Sequence, residues 1–90
     1  MVPELEILEL CDPPKSYDFI ERTVFHGDRT RLLRALRHLG DAGHLAIRIG
    51  GKTVPAWQID FWARNPAANE TERDLIRVTL ETTTAGRRCL

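Results

Sequence analysis

The sequence predicts an α+β domain in which three helices precede a small antiparallel β-sheet and a short C-terminal helix. Apolar residues recur at helical spacing up to residue 42, whereas residues 45–49 and 76–80 alternate with a period of two. Glycine or proline stands at most boundaries between these segments. A chain of 90 residues has room for one hydrophobic core, so we expect residues 1–90 to form a single domain.

The first segment, residues 4–11, is compatible with two structures. Leu5 and Leu8 fall on one helical stripe with acidic residues around them, which favours a helix. The alternation of Leu5 and Ile7 also fits the start of a strand. Pro13 and Pro14 end either structure, because proline lacks an N–H donor and restricts the residue before it.

The second predicted helix begins after Ser16 and continues to Val24. Ser16 is a suitable N-cap, because a serine side chain accepts a hydrogen bond from a backbone N–H of the first turn. Gly27 can adopt the left-handed conformation that ends a helix.

The third helix is the clearest in the chain. Asp28 is its predicted N-cap, and Gly43 is the better of two glycines for its C-terminal cap. At about 100° per residue the apolar side chains cover one arc, formed by Leu32, Leu33, Leu36 and Leu39. The opposite arc is almost entirely basic or polar and contains Thr30, Arg31, Arg34, Arg37, His38 and Asp41.

Three strands are predicted after Gly43. Alternating apolar residues place them at Leu45, Ile47 and Ile49, at Trp57, Ile59 and Phe61, and at Ile76, Val78 and Leu80. Gly50-Gly51 predicts a tight turn after the first strand, and Pro55 confines the start of the second to an edge or a bulge. We expect the apolar residues of the second strand to be core. Residues 82–90 are predicted to form a helix cap and the first turns of a final helix.

Composition excludes several classes of protein. Thirteen basic and thirteen acidic residues cancel, so the chain is not uniformly basic, and 42% hydrophobic content argues against disorder. No apolar stretch is long enough to span a membrane, and the acidic N-terminus does not resemble a signal peptide, so a cytoplasmic location is expected. The charges are nevertheless divided: residues 1–21 carry a formal charge of −5 and residues 22–52 carry +5.

No metal, cofactor or catalytic chemistry is predicted. Cys11 and Cys89 form no close pair, and the three histidines do not supply a second pair of zinc ligands. We expect both cysteines to be reduced thiols, with a disulfide between them as the alternative. The sequence contains no Gly-rich phosphate loop and no hydrolase or metalloprotease motif, so it is not expected to be an enzyme.

Two passages resemble winged helix-turn-helix domains of the bacterial, archaeal or phage regulator type. Residues 32–45 resemble the recognition helix and its exit into a strand, and residues 80–88 are similar to the closing strand and following helix start. The resemblance implies a DNA-binding regulator that places helix 28–42 in the major groove. The chain departs from the pattern in the long stretch between the first and third strands. The wing tip therefore lies either at Gly50–Lys52 or in the loop at residues 63–75.

The resemblance implies contacts with double-stranded DNA from the exposed face of the third helix. Arginine can bond bidentately to guanine or clamp a phosphate, and a helix N-terminus presents free N–H groups to phosphate. The expected contacts with bases and flanking phosphates are Arg29, Thr30, Arg31 and Arg34. Arg37 and His38 would touch the DNA backbone, and Arg48 and Lys52 would contact DNA from the wing. The alternative is that this charged face of the helix is simply exposed to solvent and does not contact DNA.

The sequence also indicates two candidate surfaces for contact with another protein. Trp62 would point away from the core if the second strand were regular, which predicts a homodimer contact, unless the strand bulges and buries it. The acidic N-terminal segment is a possible second surface for a protein partner. The alternative function is therefore a winged-helix module that binds protein, alone or as a subunit of a larger complex, without direct DNA contact.

Overall fold

The computed structural model describes residues 3–64 and 77–90, apart from the side chain of Trp62. Within these residues the chain forms five helices and a four-stranded antiparallel sheet, which confirms the predicted α+β class. The elements follow in the order α1 (Pro3–Leu10), β1 (Lys15–Ser16), α2 (Tyr17–Thr23), α3 (Arg29–Asp41), β2 (Leu45–Ile49), β3 (Lys52–Val54), α4 (Ala56–Arg64), β4 (Val78–Thr82) and α5 (Thr84–Arg87).

The first three helices are confirmed, and residues 4–11 are mainly helix rather than strand. The Ser16 Oγ accepts a hydrogen bond of 3.1 Å from the Phe19 N–H, and the Asp28 Oδ1 accepts one of 3.2 Å from the Arg31 N–H. Both predicted N-caps therefore satisfy a backbone donor that the helix itself leaves free.

The end of α3 leads directly into the sheet. The Leu39 carbonyl accepts from the His44 N–H at 2.9 Å, and the Gly40 carbonyl accepts from the Gly43 N–H at 3.1 Å. This pair of bonds is a Schellman motif, and it requires the positive φ that Gly43 adopts. The motif brings the chain from α3 into β2 within three residues, so the position of the helix is tied to the sheet.

The strand order in the sheet is β1-β4-β2-β3. The hairpin of β2 and β3 turns at Gly50-Gly51, where both residues have positive φ, as a two-residue type I′ turn requires. On its other edge β2 pairs with β4 from Leu45↔Thr82 to Ile49↔Val78. One of the two predicted wing tips, Gly50–Lys52, is thus a β-hairpin. Most of the other, residues 65–75, lies outside the described residues.

The predicted strand at Trp57, Ile59 and Phe61 is wrong, because these residues belong to α4. Spacings of three and four place Ala56, Ile59 and Ala63 on one helical face, and Ile59 is fully buried. Trp57 and Phe61 lie on the other face and are 57% and 50% exposed, so of the three only Ile59 is core. Pro55 suits the start of a helix, where its missing N–H has no partner to lose.

Two further differences concern the sheet. The predicted third strand is β4, which continues to Thr82, whereas Ile76 falls outside the described residues. The two-residue strand β1 has no sequence signal; it forms because Lys15 and Ser16 pair with Leu80 and Thr79 of β4. The predicted C-terminal helix is confirmed as α5, with the Thr83 Oγ1 accepting from the Gly86 N–H at 3.0 Å.

The core lies between the helices and the inner face of the sheet. Its fully or almost fully buried side chains come from α1, α2, α3, α4, β2 and β4 and include Ile7, Leu8, Ile20, Leu32, Leu36, Ile47, Ile59, Val78 and Leu80. The buried Thr82 hydroxyl donates to the Leu8 carbonyl at 2.6 Å, which joins α1 to β4. In the described parts of the chain, no helix combines the length and apolar character needed to cross a membrane.

The two cysteines are free thiols in different environments, so the alternative of a disulfide between them does not hold. Cys11 is fully buried, and this burial raises the pKa of its thiol to about 12, although the charge of Lys15 opposes the shift. Cys89 is exposed, and its Sγ lies 3.6 Å from the His44 Nε2.

We expect the two thiols to react with alkylating reagents at very different rates. Cys89 should be modified in the folded protein at mildly alkaline pH, whereas Cys11 should react only on unfolding, because both burial and a raised pKa suppress its thiolate. Mass spectrometry of native and denatured samples measures this difference. A Cys89→Ser control should show no rapid modification, and rapid labelling of Cys11 in that variant would contradict the buried position.

Candidate nucleic-acid interface

The solvent-facing side of α3 combines exposure with unpaired positive charge. The leucine arc turns inward, and the residues on the outer arc are Thr30, Arg31, Arg34, His38 and Asp41, all exposed. Arg31 and Arg34 are three residues apart, which places them on neighbouring turns of the same face. Among the described residues neither guanidinium has an ion-pair or hydrogen-bond partner. The face can therefore offer two unneutralised arginines to an anionic ligand.

Arg29 occupies a different position from these two residues. Its Nε donates a hydrogen bond of 2.9 Å to the Glu21 Oε1, and the Glu21 side chain is 12% exposed. The pair joins the start of α3 to α2, so it fixes how the two helices meet. A carboxylate buried to this degree needs a charged partner, and Arg29 supplies it.

The side chain of Arg37 extends from α3 towards α4 rather than into solvent alone. Its Nη1 is 3.5 Å from the Asp60 Oδ2, and its Nε is 3.7 Å from the Asp41 Oδ2. Asp60 also accepts a hydrogen bond of 2.8 Å from the Arg64 Nε. The charge of Arg37 is thus shared with carboxylates of its own chain.

His38 lies next to α1 instead of standing free. Its Nδ1 is 3.3 Å from the Glu4 Oε1, in an exposed pair that joins the last turns of α3 to α1. The side chain stays on the same face as Arg34, one turn further along the helix. Glu4 therefore brings negative charge to the C-terminal part of the face, and the N-terminal part keeps the positive charge.

The sheet contributes a second group of cations at the β2–β3 turn. Lys52 is exposed beside Gly50-Gly51, whereas Arg48 is engaged by Glu81 across the β2–β4 pair. Arg77 was missed from the sequence, since it precedes β4 and is distant in the chain. The pairing of Ile49 with Val78 brings it to the turn, where its Nη2 lies 3.9 Å from the position that a Gly50 Cβ would occupy.

Half of the acidic residues in the N-terminal segment have an arginine partner within the molecule. Asp12 accepts from Arg87 at 2.9 Å, Asp18 pairs with Arg22 at 3.0 Å, and Glu4 and Glu21 have the partners described above. Glu6 and Glu9 have no ion-pair partner in the described parts of the chain. The surface left for a partner at this end is therefore much smaller than the formal charge of −5 indicates.

The described residues contain no group of three or more His, Cys, Asp or Glu side chains placed to hold a metal ion. No protein-family model, curated protein or solved structure matches this chain.

The predicted dimer contact at Trp62 assumed a strand where the structure has α4. The side chain of Trp62 lies outside the described part of the structure.

We expect Arg29→Ala to destabilise the protein by about 1–3 kcal/mol, because it leaves the buried Glu21 carboxylate without its charged partner. Chemical denaturation measures the free energy of unfolding. Arg22→Ala is the matched control: it removes another pair between an arginine and a residue of α2, but one that is exposed, and should change stability little. Equal effects of the two substitutions would contradict a structural role for Arg29.

Proposed function

We propose that the protein is a small transcriptional regulator that binds double-stranded DNA by inserting α3 into the major groove. The observation that carries the proposal is the pair Arg31 and Arg34, exposed on one helical face and unpaired within the described residues. The other four arginines of the basic segment, residues 22–52, are each paired with a carboxylate of the same chain. Positive charge is thereby concentrated on the face that a groove could receive.

The chemistry of this face suits a nucleic acid. An α-helix is about 10–12 Å across and the major groove of B-form DNA is about 12 Å wide, so a helix can reach the base edges. Arg34 and Thr30 share the centre of the exposed arc and are proposed to approach bases, with Arg31 on a base or a flanking phosphate. Arg29 is proposed to act indirectly, by holding α3 in place through Glu21.

The β2–β3 hairpin would add phosphate contacts. Lys52 and Arg77 both lie at the turn, and neither is paired with an acidic side chain in the described residues. We place the wing tip here. Arg48 is less available, because Glu81 already accepts from its guanidinium. Arg37 and His38 are likewise proposed as peripheral, backbone-facing residues, since Asp60 and Glu4 hold them.

The order of elements supports a winged helix-turn-helix architecture. A connection of five residues containing Gly27 joins α2 to α3, and α3 passes directly into the antiparallel sheet. The departure is the segment between β2 and β4, which contains β3 and α4. A regulator of this kind would work in the cytoplasm, in contact with DNA, and the proposal assigns it no catalytic step and no cofactor.

A protein-binding module is the second candidate function, and the exposure of Trp57 and Phe61 on α4 favours it. Aromatic side chains are enriched at protein interfaces. In that case substitutions on α4 would abolish binding of the protein partner, whereas substitutions at Arg31 and Arg34 would not.

We expect Arg31→Ala and Arg34→Ala each to weaken duplex binding by about 5- to 100-fold. Each variant should also lower the slope of log K against log salt by about 0.9 if its guanidinium neutralises one phosphate. Fluorescence anisotropy with a labelled duplex pool, measured over a range of ionic strength, gives both quantities.

Arg22→Ala and Glu6→Ala are the controls for this series. Arg22 is an exposed arginine outside α3, and Glu6 is an acid of α1, so neither change should alter the slope. Absence of any salt-sensitive binding by the unmodified chain at low ionic strength would overturn the proposal and leave the protein-binding module. If the unmodified chain does bind, selection of bound sequences from a random duplex pool identifies the site, including any half-site symmetry.

A further inference from the structure

We infer that Asp60 of α4 competes with DNA for the side chain of Arg37. In the free protein the Arg37 guanidinium lies beside this carboxylate, with Nη1 3.5 Å from the Asp60 Oδ2. In the complex the same guanidinium exchanges the carboxylate for a phosphate of the DNA backbone. The exchange rests on the proposed function and deepens it, because it makes an acidic residue of a neighbouring helix a determinant of the affinity for DNA.

Arg37 lies at the edge of the face that is proposed to meet DNA. At about 100° per residue it is displaced by about 60° from Arg34 around the axis of α3, and it lies almost one turn further along the helix. Its side chain is 42% exposed, so it is partly accessible to a ligand. A partly exposed arginine can change partner by rotation about its own side-chain bonds, which is fast compared with binding.

The internal contacts of Arg37 are longer than ordinary hydrogen bonds. Its Nη1 is 3.5 Å from the Asp60 Oδ2 and its Nε is 3.7 Å from the Asp41 Oδ2, whereas N–H···O bonds span about 2.7–3.2 Å. The Nε atom is buried and has no hydrogen-bond partner in the described part of the chain. A buried donor without an acceptor costs free energy, so a rearrangement that brings an oxygen to it is favourable. Arg37 is thus attracted by carboxylates of its own chain without forming a hydrogen bond to either.

Asp60 keeps a cationic partner when Arg37 leaves. Its Oδ1 accepts a hydrogen bond of 2.8 Å from the Arg64 Nε, one helical turn further along α4. The Asp60 side chain is only 19% exposed, so the loss of every partner would be costly. With Arg64 in place, the exchange leaves no carboxylate unpaired. The free energy needed to release Arg37 is therefore small.

Close packing holds the two helices together during the exchange. Ile59 is fully buried, and a Cβ on Gly40 of α3 would lie 2.8 Å from the Ala56 Cβ of α4. Asp60 follows Ala56 by one helical turn and therefore stays beside α3. The change of partner is confined to the side chain of Arg37, and the charge at position 60 sets the strength of the competition.

A double-mutant cycle of Asp60→Asn and Arg37→Ala, measured by fluorescence anisotropy with a labelled duplex, tests the inference. Asp60→Asn should tighten binding about two- to five-fold, because a neutral amide does not compete with phosphate for Arg37. It should leave the salt slope unchanged, since Arg37 already meets phosphate in the unmodified complex. Arg37→Ala should weaken binding and lower the slope by about 0.9. In the Arg37→Ala background, the tightening by Asp60→Asn should be lost.

Asp18→Asn is the matched control for the loss of an acid. It breaks an exposed pair with Arg22 in α2, outside the proposed surface, and should leave the affinity for DNA unchanged. Circular dichroism should show that all of these variants are folded, because none of the substitutions changes an apolar core side chain.

The outcomes separate this inference from the proposed function. An unmodified chain that binds no duplex overturns the proposed function and, with it, the exchange at Arg37. If the unmodified chain binds, an affinity unchanged by either single substitution overturns the exchange alone. Equal tightening by Asp60→Asn with and without Arg37 also overturns it, since the carboxylate would then act only by repelling the phosphates.

Discussion

Burial of the leucine side of α3 determines where the rest of the molecule can act. The helix lies against the sheet and the neighbouring helices, and its four leucines are at most 5% exposed: Leu32, Leu33, Leu36 and Leu39. Because a helix repeats every 3.6 residues, burying this arc leaves Arg31 and Arg34 on the outside. The Schellman motif at Gly43 then joins α3 to β2, and the Glu21–Arg29 pair joins it to α2. The same packing that makes the core therefore presents the proposed DNA-binding face.

Internal ion pairs decide which charges remain available to a ligand. The formal charges of −5 on residues 1–21 and +5 on residues 22–52 are partly paired in the folded chain. Two of these pairs join the segments to each other, and the others join them to groups further along the chain. Among the described residues of these two segments, Arg31, Arg34 and Lys52 keep unpaired positive charge, and Glu6 and Glu9 keep unpaired negative charge. The positive charge available to an anionic ligand in these segments therefore lies on α3 and at the hairpin turn.

The sequence was sufficient for features that depend on neighbouring residues. The caps Ser16 and Asp28, the Gly50-Gly51 turn and the amphipathic α3 were all predicted and are present. Residues 57–61 were wrongly predicted as a strand, since Trp57, Ile59 and Phe61 satisfy a period of two while Ala56, Ile59 and Ala63 satisfy a helix. The strand β1, the burial of the Glu21–Arg29 pair and the position of Arg77 depend on contacts between distant residues, which local patterns do not report.

The most direct test of the central claim, that the exposed face of α3 binds DNA, is an NMR titration of the isotopically labelled chain with a duplex. We predict that amide shifts change chiefly in the first turns of α3 and at the Gly50-Gly51 turn, and that added salt reverses them. Shift changes confined to α4, or none at low ionic strength, would contradict the account.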